Sequence, residues 1–102
     1  MKDFIDKIKW FKRYRHMYLP AGTLDEATGF VSGMDFMLGN VFGDGFRNWL
    51  LKSKIREKSS FSWPKLVSLY IEDQGVGIDC QVDVFLDLIF EYIETHWSDV
   101  GD

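Results

Sequence analysis

Asp79-Cys80-Gln81-Val82-Asp83-Val84-Phe85-Leu86-Asp87-Leu88-Ile89-Phe90-Glu91-Tyr92-Ile93-Glu94-Thr95-His96-Trp97 repeats its apolar residues at one period. At about 100° per residue, Val82, Phe85, Leu86, Ile89 and Ile93 gather within roughly 100° of arc, and Asp79, Asp83, Asp87, Glu91 and Glu94 occupy a second arc about as wide. One apolar and one acidic side at this period describe an amphipathic helix. Asp79 is placed to cap its start, and Phe90 and Trp97 lie on the border between the two arcs.

Upstream, Gly75 and Gly77 interrupt the chain, and Ser62-Trp63-Pro64 puts a candidate cap before a proline in a first helical turn, where its missing N–H costs nothing. Trp63, Leu66, Val67, Tyr70 and Ile71 keep helical spacing and predict a helix to about residue 73. Alternation of Val67, Leu69 and Ile71 leaves a strand over 66–71 as the competing reading. Asp44 is read as the cap of a helix to about Arg56, with Phe46, Trp49 and Leu50 inward. Thr23 and Glu26 fit a capping box for a helix whose apolar period, from Ala27 through Phe30, Val31, Met34, Met37 and Leu38, runs to about Val41. Gly29 and Gly33 within it suggest close approach of another helix. Phe4, Ile8 and Phe11 define the first helix over residues 3–13. The fold class is all-α, a compact single-domain bundle of about five helices over 1–102. Its core is expected to include Phe4, Ile8, Val31, Met34, Trp49, Leu50, Leu66, Val67, Phe85, Leu86 and Ile89, with Trp49 and Trp63 structural.

The composition supports a real core: 46% of the residues are hydrophobic, and nine Phe, four Trp and four Tyr supply large side chains. Cys80 is the only cysteine, so no intramolecular disulfide can form, which favours a reducing compartment and a cytoplasmic location. The alternating charges of Lys2 to Lys9 build neither an export signal nor a membrane span. The net charge of −4 conceals blocks. Residues 1–22 carry +4, 23–46 carry −4, 47–65 carry +5, and 66–102 carry nine acids with no Lys or Arg. Such blocks are met either by one another inside the fold or by an external partner.

Catalytic and metal patterns are not found. His16 and His96 match no metal spacing, Cys80 stands between acids that disfavour its thiolate, and the Gly39–Gly45 run lacks the ending of a phosphate loop. The carboxylates lack an accompanying nucleophile, so no enzyme, cofactor, metal or small-molecule substrate is expected. Lys9-Trp10-Phe11-Lys12-Arg13-Tyr14-Arg15-His16 interleaves bases and aromatics as nucleic-acid binders do. A small helical nucleic-acid-binding or regulatory antitoxin-type protein using 1–22 and 47–65 is therefore the alternative function, although nine acids after residue 65 oppose a polyanion.

Arg15-His16-Met17-Tyr18-Leu19, then a helix with Gly29 and Gly33, Phe46-Arg47-Asn48-Trp49-Leu50, Ser62-Trp63-Pro64-Lys65-Leu66-Val67 and the closing acidic, aromatic helix form an ordered set. Across residues 13–95 this order resembles small immunity proteins of bacterial contact-dependent growth inhibition and related polymorphic toxin systems, with His16 where those proteins often carry proline. The resemblance implies a cytoplasmic protein that binds a cognate toxin domain, commonly a nuclease, with no catalytic residues of its own, no membrane and no direct nucleic-acid contact. An acidic face is a suitable complement to a basic nuclease cleft. Glu72, Asp73, Asp79, Asp83, Asp87, Glu91 and Glu94 are the expected contact acids, and Tyr70, Phe90, Tyr92 and Trp97 the candidate anchors.

Overall fold

Thr23 opens the second helix by satisfying backbone donors that a helix N-terminus leaves unpaired. Its hydroxyl accepts from the Glu26 N–H at 3.2 Å, and the Glu26 carboxylate accepts from the N–H groups of Thr23 at 3.4 Å and Ala21 at 3.0 Å. The capping box expected from these two residues is formed. The computed structural model describes residues 2–96. Its α-helices run in the order α1 (Lys2–Tyr14), α2 (Leu24–Met37), α3 (Gly43–Leu50), α4 (Trp63–Asp73) and α5 (Gln81–His96). No strand occurs among the described residues, and the alternation at 66–71 lies inside α4, where Leu66, Val67 and Ile71 share the buried side. Pro64 sits in the first turn of α4, as its missing N–H allows.

Between α2 and α3, two boundary features differ from the sequence reading. Helix α2 stops at Met37 rather than near 41, because Gly39 (φ 90°) and Asn40 (φ 58°) turn the chain, and the Asn40 N–H donates to the Asp35 carbonyl at 2.8 Å. Helix α3 is capped by Asp35 instead of Asp44. The Asp35 carboxylate, only 4% exposed, accepts from the Phe42 N–H at 2.8 Å and the Gly43 N–H at 2.9 Å. A side chain from the preceding helix thus does the work expected of a residue next to α3, since the tight turn carries it to the new N-terminus. At Gly43 a Cβ would lie 3.1 Å from Asp35 Oδ2 and 3.2 Å from Trp63 Nε1, which explains glycine there.

Beyond Leu50 the helix widens into a π-helical turn, Leu51–Ile55, closed by Arg56 at φ 59° with its N–H on the Leu51 carbonyl. The Arg47 guanidinium then donates to the carbonyls of Ser59 and Phe61 and holds the connection to α4 against α3.

The buried faces meet in one contiguous core. All the expected core residues are buried except Met34, which is half-buried, and Trp49 and Trp63 are each 7% exposed. At the centre Phe42 stacks on Phe4 at 4.3 Å and on Phe46 at 4.6 Å between ring centroids, and meets Trp63 and Tyr92 edge-on. Helix α2 packs on α1, α4 and α5, and α4 packs on α3 and α5. The expectation that Gly29 and Gly33 admit a neighbouring helix is corrected. A Cβ at either would meet nothing within 4 Å, because α2 turns Leu24, Ala27, Thr28, Val31 and Asp35 inward instead.

Replacing Asp35 by alanine leaves two N–H groups at the start of α3 without their acceptor. Each buried donor so orphaned costs about 1–3 kcal/mol. The Asp35→Ala protein is expected to unfold at clearly lower denaturant, while Asp44→Ala stays close to the parent. Equal midpoints for the two variants would reject the assignment of the cap.

Candidate partner-binding face

On α5 the residues Val82, Phe85, Leu86, Leu88, Ile89, Tyr92 and Ile93 are buried, so the opposite side must face water. Asp83, Asp87, Glu91 and Glu94 are all exposed there. Asp79 is also exposed, but within a 3₁₀ turn, Ile78–Cys80, that precedes α5, so the helix begins at Gln81 without the expected Asp79 cap. Glu72 and Asp73 are exposed in the last turn of α4. The seven acids expected as contacts thus all reach the surface, five along α5 and its leading turn and two from the end of α4.

Basic residues flank this face on both sides. Arg15 pairs with Asp83 at 2.5 Å and Lys54 pairs with Glu91 at 2.8 Å. Lys12 sits 5.0 Å from the ring centroid of half-buried Phe90, a cation–π contact that ties α1 to α5. Both acids in the ion pairs are about half exposed, with side-chain accessibilities of 53% and 51%. Pairs at such sites contribute at most about 1 kcal/mol, and a partner's base can exchange for either. Among the described residues Asp87, Glu94, Asp79, Glu72 and Asp73 form no ion pair.

The candidate anchors separate. Tyr92 is corrected from a surface anchor to a core residue: it is 2% exposed and packs against Phe42, Phe46 and Trp49. Its hydroxyl is admitted by Gly45, where a Cβ would lie 2.2 Å from the phenolic oxygen. Tyr70 is half-buried and lines a cleft with Lys54, Phe61, Leu69 and Asp73. Trp97 lies outside the described residues. Of the three acids of α2, Asp35 and Glu26 are engaged as caps, which leaves Asp25 exposed without an ion pair among the described residues.

A second exposed surface is aromatic and apolar. Trp10, Tyr14 and Tyr18 are 46%, 37% and 36% exposed, and Trp10 contacts both tyrosines at 5.8 and 5.0 Å between centroids. Phe36 and Met37 on α2 are more exposed still, at 70% and 80%. The apolar stripe of α2 is wider than the surface the bundle covers, and only the packed structure shows which edge is left out.

No set of three His, Cys, Asp or Glu residues that could hold a metal ion occurs among the described residues, and no helix there is long and apolar enough to cross a membrane. Comparison of the chain with known protein families, with curated proteins and with solved structures finds no match.

Burial raises the Tyr92 phenol above its usual range near 10. A raised folded-state value favours the neutral form, so stability from this group is intact below the unfolded tyrosine range and is lost as pH rises through and above it. Alkaline unfolding should therefore be less steep in Tyr92→Phe than in the parent. Gly45→Ala should destabilise by about 1–3 kcal/mol through overpacking, and Tyr92→Phe should relieve part of that loss. Strict additivity of the two substitutions would show that the hydroxyl and Gly45 do not meet.

Proposed function

We propose that this chain is an immunity protein that binds and neutralises a cognate toxin domain, a basic nuclease, in the cytoplasm, acting by occupation rather than by catalysis. The observation that carries the reading is the exposed acidic row of Asp83, Asp87, Glu91 and Glu94 on α5, preceded by exposed Asp79 in the leading turn. A nuclease cleft holds a polyanion and is basic, so such a row opposes it as a substrate backbone would. The resemblance of residues 13–95 to immunity proteins of contact-dependent growth inhibition points the same way. Like charges one helical turn apart are mildly unfavourable for the free helix, and an opposing basic surface offsets that cost. Phe90, beside the row, supplies apolar contact next to the charges.

A second reading, a helical nucleic-acid-binding or antitoxin-type protein, is favoured by one observation: Trp10, Tyr14 and Tyr18 are exposed beside Lys9 and Arg13. Retention on heparin at moderate salt, lost on neutralising Lys9, Arg13 and Arg15, would support it, whereas flow-through supports the acidic binder.

Asp87→Asn with Glu94→Gln removes outward charge and keeps both ion pairs intact. Against its cognate toxin domain, the double variant should associate more slowly, with a weaker salt dependence, because steering scales with opposed charge. Extending the change to Asp83→Asn and Glu91→Gln should enlarge both effects. Unchanged association kinetics at low salt with full protection from the toxin would remove α5 as the contact face.

A further inference from the structure

The outer side of α2 is an apolar face that the chain itself leaves uncovered. Phe36 and Met37 are 70% and 80% exposed, and beside them Gly29 and Gly33 have no atom within 4 Å of a Cβ position. Both glycines have ordinary helical backbone, as among the described residues only Gly22, Gly39 and Gly75 of the glycines take positive φ. Neither a turn nor a neighbouring helix of this chain accounts for them, although glycine is the poorest helix former after proline.

We propose that this face of α2 pairs with the same face of a second copy of the chain, α2 against α2 in antiparallel order about a two-fold axis at Gly33. The register is self-complementary. Gly29 and Met37 lie four residues either side of Gly33, and Phe30 and Phe36 three. The axis therefore sets each Met37 into the space left by Gly29 of the other copy and brings each Phe36 against Phe30. Glycine at the crossing lets helix axes approach to about 8 Å.

Charge selects the occupant. From Ala27 to Gly43 no charged side chain is exposed, since Asp35 is buried. The face offers nothing to a nuclease cleft or to nucleic acid, and two copies meet without repulsion despite a net charge of −4. At its edge, exposed Asp6 and Lys7 of α1 line the cleft beside Met34. The two-fold lays Lys7 of each copy against Asp6 of the other, which is the reciprocal pairing an isologous contact requires. This pairing is independent of toxin binding, because α5 takes no part in it.

Sedimentation equilibrium of the full chain from ~10 µM to ~1 mM, the range of a small interface, should show the mass rising from 12.0 kDa toward twice that value. Gly33→Leu enters open space in the single chain, so it should keep the helical circular dichroism and melting temperature yet hold the mass at 12.0 kDa throughout. Lys7→Asp should weaken association at least tenfold, and adding Asp6→Lys should restore it. A parent chain that stays at 12.0 kDa at every concentration overturns the proposal. So does a dimer that Gly33→Leu leaves intact, and so does a monomeric parent whose Gly33→Leu variant loses toxin binding, which would give this face to the toxin.

Discussion

The carboxylate of Asp35 joins the second helix to the start of the third. A buried carboxylate is costly unless its charge is met, and here two backbone N–H groups and the positive end of the α3 dipole meet it. Because the acid belongs to α2 and its donors begin α3, the turn between them has a single register. Phe42 then falls among Phe4, Phe46, Trp63 and Tyr92, so α1, α4 and α5 all pack around a residue positioned by this cap. The two glycines that follow obey the same constraint. A side chain at 43 would crowd Asp35 and Trp63, and one at 45 would overlap the Tyr92 hydroxyl.

Charge is sorted by face. Arg15 and Lys54 reach α5 from either side and pair with Asp83 and Glu91, while Lys12 covers Phe90. These contacts answer the alternation of charge blocks in part, from within the chain, yet as exposed pairs they are weak and leave the acidic row accessible. The aromatic side of α1 is exposed next to bases, and the outer side of α2 exposes no charge beyond Glu26. Three surfaces of different chemistry therefore coexist on 102 residues. The proposed toxin contact on α5 and the proposed self-pairing on α2 use separate ones, so neither excludes the other.

Helix type and inward residues were readable where a local rule acts alone. Thr23 and Glu26 announce α2 because a capping box closes within one turn, and Pro64 marks the start of α4 through its missing N–H. Ten of the eleven expected core positions are buried as apolar spacing on each helix implies, and the acids of α5 face outward because the opposite arc is uniformly apolar. Phe42 was not legible as a core residue, since it stands outside any helical period and owes its place to the turn at Gly39 and Asn40. Asp35 was equally hidden: within α2 it is one acid at an unremarkable position, and its acceptor role exists only once the chain doubles back.

The amino-acid sequence by itself determined the all-helical class, the order of the helices and the acidic side of α5, because each depends on residues within a few turns of one another. Only the tertiary structure decided that Tyr92 is core, that Asp35 rather than Asp44 caps α3, that Arg15 and Lys54 meet Asp83 and Glu91, and that Phe36, Met37, Gly29 and Gly33 remain uncovered. A helical period states which residues share a face. How much of that face a neighbour covers depends on the angle and distance at which helices pack, and those are set by contacts between residues far apart in the chain.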